Sequence, residues 1–193
     1  MRILHLATST KGGAGIAARR LHESLLRAGE RSYLLSLKPD ESIEHSLSFQ
    51  RSSLSKFLSS LLTFLQAKIF QKSDQLVTPI GLDYSNKISK IINSFDVVHI
   101  HAFYNLINSA SIISLCEKYP EINFLLTLHD ERFTTGGCHY SANCVNKFGY
   151  CNRCPQTTFL AQHKVSRDMK LKVNRLPIVS NLRIIAPSEW MLN

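Results

Sequence analysis

Short apolar runs alternate along the chain with longer stretches in which apolar positions recur every three or four residues, and that alternation predicts strands separated by helices. Arg2 to Ala7 is the first apolar run, and Thr8-Ser9-Thr10-Lys11-Gly12-Gly13-Ala14-Gly15 follows as a glycine loop. Ile16, Ala17, Leu21, Leu25 and Leu26 then mark a helix that Gly29 closes, and Ser32 to Leu37 has strand character before Lys38-Pro39-Asp40 turns the chain. From Leu54 to Phe70 the residues Leu54, Phe57, Leu58, Leu61, Leu62, Leu65 and Ile69 form a broad apolar face, with Lys56, Lys68 and Lys72 at its margins. Such a face is ordinarily packed on the helix's own sheet or on a partner; with basic flanks it also suits a membrane surface. A short helix over Tyr84 to Asn93, a strand over Asp96 to His101, a helix over Asn105 to Tyr119 broken by Pro120, and a strand over Asn123 to Leu128 come next. Thr157 to Arg175 reads as a basic, largely exposed helix and Arg183 to Ala186 as a last strand.

Strands alternating with helices predict an α/β, Rossmann-like, doubly wound parallel sheet of about five strands, with a Cys-rich loop inserted after Leu128. The 193 residues suffice for one such domain, and 44% hydrophobic with 19% charged residues is the composition of a globular chain. The formal charge of +9, from 23 Lys and Arg against 14 Asp and Glu, favours polyanionic partners. The basic residues are dispersed and accompany no zinc-finger or RNP-like pattern, so nucleic acid is not expected among those partners. The apolar core of the first residues is short for a secretory signal and no apolar stretch approaches the ~20 residues that span a bilayer, so a cytoplasmic protein is expected.

Three groups of residues carry chemistry. Gly12, Gly13 and Gly15 would let the backbone approach an anion at a helix N-terminus, or serve only as a tight turn for strand–helix packing. With Ala18 they also satisfy G-x-G-x-x-A, but Leu37 and Lys38 stand where a nicotinamide enzyme wants an acidic residue, and Asp40 lies beyond a proline. His99 and His101 share one strand face, His99 reading as structural, while His101, His129 and Asp130 fall at the carboxyl ends of strands, where open α/β sheets bind ligands. An imidazole there can donate to a sugar hydroxyl or phosphate, or act as a base near neutral pH. Finally, Cys138-x5-Cys144-x6-Cys151-x2-Cys154 ends in a zinc-type half-site. Four thiolates would make a closed, structural zinc site, with His139 a substitute for one of them; two disulfides and four free thiols are the other readings. Cys116 lies in a helical pattern as a small apolar residue.

The opening MRILHLATSTKGGAGIAARRLHESLLRAG, the strand DVVHIHAF, the segment TLHDERFTTGGCHYSANCVNKFGYCNRCPQ and the terminal RIIAPSEWM together resemble the N-terminal, acceptor-side domain of family 4 glycosyltransferases, retaining enzymes of GT-B fold. The His-Asp and Thr-Gly-Gly-Cys-His-Tyr run with its spaced cysteines is similar to transferases of capsule and exopolysaccharide biosynthesis. The resemblance implies a hexosyltransferase that uses a nucleotide sugar as donor and a lipid-linked or saccharide acceptor, with no catalytic metal. It further implies that Gly12, Gly13 and Gly15 face the donor diphosphate and that His129 contacts the transferred sugar. Residues 1–193 are expected to form this one domain, without the C-terminal donor-binding domain and therefore inactive alone, whether as a fragment, a split-gene product that pairs with a partner chain supplying that domain, or a remnant. Peripheral contact with the inner face of a membrane through Leu54 to Phe70 is part of the same expectation. A non-catalytic sugar-phosphate or partner-binding module is the alternative, and an NAD(P)-dependent oxidoreductase a further one.

Overall fold

The computed structural model describes residues 1–38, 40–49, 51–70, 77 and 82–191. Pro39, expected in the turn after the second strand, and Lys72, expected beside the second helix, lie outside the described residues. The span read as one domain divides into two compact units: Met1–Gln50 with Asp83–His129 and Val179–Asn193, and Arg51–Leu82 with Asp130–Ile178.

The first unit carries the sheet. Its strands are β1 (Arg2–Ala7), β2 (Arg31–Ser36), β3 (Ser46–Ser48), β4 (Val97–Ala102), β5 (Asn123–Thr127) and β6 (Leu182–Ile185). They are all parallel, in the order β3-β2-β1-β4-β5-β6. This is the expected Rossmann-like α/β fold, with six strands in place of about five. The additional one, β3, is a three-residue Ser-Leu-Ser that carries almost no apolar signal. β1 and β4 occupy the middle, and Ile3 to Ala7 and Val97 to His101 are buried throughout, which is why they read as unbroken apolar runs. Helix α1 (Gly12–Arg27) returns the chain from β1 to β2. Between β3 and β4 in this unit lies the short α3 (Ser85–Ser89), and α4 (Ser109–Lys118) joins β4 to β5. α4 starts later than its apolar pattern suggests because Asn108 caps it, its side chain accepting from the Ser111 N–H at 2.9 Å.

The second unit is built from what the sheet leaves over, with α2 (Ser53–Leu65) and a π-helical turn (Gln66–Phe70) from one segment and α5 (Phe159–Arg175) from the other. Val77 bridges Cys138 in antiparallel fashion, and the Thr158 N–H donates to the Phe70 carbonyl. α5, expected as a basic, largely exposed helix, turns inward a stripe of Ala161, Val165 and Met169 that continues to Lys172, which is 2% exposed. That ammonium donates to the Arg132 and Thr135 carbonyls and pairs with Asp168 at 2.5 Å, so one member of the basic run is a buried clamp. Of the two packed readings of α2, burial within the chain is not found. None of its residues is buried, and Leu54, Phe57 and Phe64 are each more than half exposed.

Candidate site at the carboxyl edge of the sheet

The strand order reverses between β1 and β4, the topological switch point at whose carboxyl side open α/β sheets bind ligands. The turn after β1 is knitted to the one after β4: the Thr8 N–H and hydroxyl both donate to the Ala102 carbonyl, at 2.8 and 3.0 Å, and the Leu37 N–H donates to the Thr8 carbonyl. Beyond Thr8 the chain enters the glycine loop. Gly12 adopts φ +76°, a left-handed conformation that favours glycine, and a Cβ on Gly15 would lie 2.2 Å from the Ser9 carbonyl oxygen. Gly13 carries neither constraint: its φ is not positive, and a Cβ there, as at Gly12, would meet nothing within 4 Å. The loop is thus partly the tight turn that packing requires and partly open. Lys11 precedes α1 without a side-chain cap, and the first turn holds no acidic residue, which leaves the helix N-terminus to an anion. Asp40 accepts from Thr10 of this loop at 3.1 Å and from Ser42 at 2.6 Å, bonds that hold its carboxyl below the usual carboxylate range.

The register sets His5 of β1 opposite His99 of β4, and His101 follows on the same face. The three imidazoles pack together with ring centroids 4.1 to 5.4 Å apart, and His22 of α1 closes the group 6.1 Å from His5. His22 is a satisfied structural residue, bonded through Nδ1 to the Ser32 hydroxyl at 2.7 Å and through Nε2 to the Glu44 carbonyl at 2.8 Å. His99 bonds to the Thr127 hydroxyl at 2.8 Å, which agrees with its expected structural role.

The other histidines form a line: His5 Nδ1 lies 3.2 Å from His101 Nε2, and His101 Nδ1 lies 3.3 Å from His129 Nε2. Burial pushes His5 down to about 3, His99 to about 4 and His101 to about 2, and neighbouring imidazoles lower them further, so all three are neutral at pH 7. Neutral rings must alternate donor and acceptor. His5 Nε2 is buried with no partner, and a proton there would be an orphaned donor, the costliest arrangement in a core. The proton of His5 therefore sits on Nδ1 and is donated to His101; the proton of His101 sits on Nδ1 and is donated to His129. His129 ends the line, accepting at Nε2. The sequence pointed to His101 and His129, and the structure joins them, but His5 was missed. Its signal was a lone polar residue inside the first apolar run.

His5, His99 and His101 also bring one ligand nitrogen each within 4.8 Å of the others. His5 Nδ1, His101 Nε2 and His99 Nε2 already hold hydrogen bonds, and the cluster itself includes no carboxylate to offset a buried dication. This chemistry favours a hydrogen-bonded chain over a metal centre.

The remaining expected site residues belong to the second unit. Asp130 is clasped by Arg132, whose Nε and Nη2 donate to its carboxylate at 2.7 to 3.1 Å and whose backbone N–H donates at 2.9 Å. His139 Nδ1 stands 3.6 Å from the same carboxylate, so His139 is turned toward Asp130. Cys138, Cys151 and Cys154 are buried and Cys144 half-buried, all as free thiols. The Cys138 S–H donates to Cys154, and that bond lowers the Cys154 thiol to about 6 while raising Cys138. Cys116, as expected, is buried in α4, and burial pushes its thiol up to about 12.

No protein-family model matches the chain, and no curated protein matches it. Among solved structures, the crystal structure of TubZ from Clostridium botulinum phage c-st is similar at 9% sequence identity and a TM-score of 0.41, over 96% of this chain and 51% of that one. The chain spans about half the length of TubZ, and a match at this level speaks to neither family nor activity.

Proposed function

We propose that the chain is the acceptor-side domain of a retaining family 4 glycosyltransferase, moving a hexose from a nucleotide sugar to a lipid-linked or saccharide acceptor. The observation that carries the reading is the imidazole chain ending in His129, just past the carboxyl end of β5. A ring whose orientation is fixed by two buried, neutral partners suits contact with the sugar in transfer, because such a group loses little on reorganisation as charge develops. Gly13 and the uncapped start of α1 would face the diphosphate. Stabilisation of the leaving group is assigned to a donor-binding domain, in the same polypeptide or another.

Sugar transfer from a panel of nucleotide hexoses should be measured for the chain with and without such a domain. His129→Ala is expected to lower turnover by about a hundredfold or more, the usual cost of one preorganised donor. Undiminished turnover in that variant overturns the assignment, and binding of NAD(P)H in preference to nucleotide sugars supports an oxidoreductase instead. A second reading, a sugar-phosphate-binding module without chemistry, is favoured by the neutrality of His5 and His101 behind His129. Sugar-phosphate binding with no turnover in any pairing would select it.

A further inference from the structure

The second unit is short of core. Its buried apolar residues, among those described, are Val77, Phe133, Ala161, Val165 and Met169 together with three cysteines. Cys138, Cys151 and Cys154 pack with Val77, Val165 and Met169 in one cluster. Units with so little apolar burial are usually held by disulfides or a metal. Here all four thiols are free.

Their proximity is branched. Cys154 bonds to Cys138 and also lies within electrostatic range of Cys151, and Cys151 lies within range of Cys138 and Cys144. Cys138 with Cys154 and Cys144 with Cys151 are the disulfide pairs this proximity would allow, whereas Cys151, near all three of the others, is placed as the hub of a centre shared around one ion. The backbone supports the same arrangement. Cys151 and Arg153 hold φ of +51° and +57°, left-handed turns that curl the C-x-x-C segment back on itself, at a cost non-glycine residues meet only where the surroundings fix them. The N–H of Gly136 is directed at the Cys151 sulfur, and those of Gln156 and Thr157 at the Cys154 sulfur. Backbone donors aimed at sulfur are what thiolate ligands need around them. The close approach of Gly136 is built in, since a Cβ there would lie 2.5 Å from Val165 Cγ1 and 3.2 Å from the Cys151 Cβ.

We infer that Cys138, Cys144, Cys151 and Cys154 bind one structural zinc ion that holds the second unit together. Four thiolates are a complete tetrahedral set, so the centre is closed to substrate and its role is to brace the fold. No three of the sulfurs stand within 4.8 Å of one another, and Zn–S bonds of about 2.3 Å draw them inward on loading. The two negative charges left on a four-thiolate zinc centre face the buried Lys172 ammonium, which already acts on Cys151. Nothing in this inference depends on the glycosyltransferase reading.

The test uses the full chain purified under reducing conditions without chelator. About one equivalent of zinc is expected, and replacing it with Co(II) should give the intense visible bands of tetrahedral cobalt thiolate. Cys144→Ser, at the most exposed ligand, should weaken metal affinity by about tenfold or more, and Cys116→Ser should leave the metal content unchanged. Less than about half an equivalent of zinc, an intact mass reporting two disulfides, or a cobalt spectrum without thiolate charge transfer would each overturn the proposal. The cobalt spectrum of the unsubstituted chain decides the matter even where a Cys→Ser variant fails to fold.

Discussion

In the unfolded chain His5, His99 and His101 protonate near pH 6.5, whereas in the folded chain they resist protonation until about pH 3, 4 and 2. Between those limits the unfolded state binds more protons, so stability falls as pH falls from about 6.5 toward 4 and is unaffected by these groups above that window. Each histidine adds up to about 1.4 kcal/mol per pH unit to the slope. Denaturant melts at pH 7.5, 6 and 5 should show the loss, and His101→Gln should reduce the slope by roughly one histidine's share while lowering stability at every pH. A slope unchanged by that substitution would mean that His101 is not held neutral. At this scale the sequence disclosed His99, His101 and His129 through strand alternation and strand ends. It could not disclose the line they form, because the middle link of any such chain depends on the register of β1 against β4, and His5 lies about a hundred residues away along the polypeptide.

The glycine loop separates two demands that look alike in sequence. Gly15→Ala drives a Cβ to within 2.2 Å of the Ser9 carbonyl oxygen, a backbone atom that cannot yield, and should destabilise the chain by about 2 kcal/mol or more. Gly13→Ala meets open space inside a helix and should be neutral or stabilising by up to about 1 kcal/mol. Thermal melts of the two variants check the contrast, and equal destabilisation would show that the loop is wholly a packing device. Most elements were legible, because β1, β4 and β5 are apolar runs and α1 and α5 carry a 3.6-residue period. β3 was not, since three residues of pairing with β2 leave no period to read. Nor was the exposure of α2, whose period is equally strong whether its apolar face is buried or left bare.

Across the whole molecule, periodicity gave the sheet, but the second unit arises from pairings between segments some sixty residues apart, such as Val77 with Cys138, that no local pattern announces. It is this unit that presents α2, with Leu54, Phe57, Leu61 and Phe64 exposed and Ser55, Ser59, Ser60 and Thr63 along the polar side. No helix among the described residues is long and apolar enough to cross a membrane, so an apolar face of this kind would lie in the plane of an interface. The net charge of +9 selects which interface, since an anionic surface attracts the molecule before the apolar face inserts. The chain should therefore sediment with vesicles containing anionic lipid more than with zwitterionic ones, and the more so at low salt. Replacing Phe57 and Leu61 together by Ser should weaken vesicle binding by about tenfold or more, because each forfeits apolar transfer of a large side chain. The unfolding midpoint should hardly move, as neither residue is buried. Vesicle binding that survives the double substitution would assign the attraction to charge alone, and failure to bind anionic vesicles at low salt would leave the face of α2 to a protein partner.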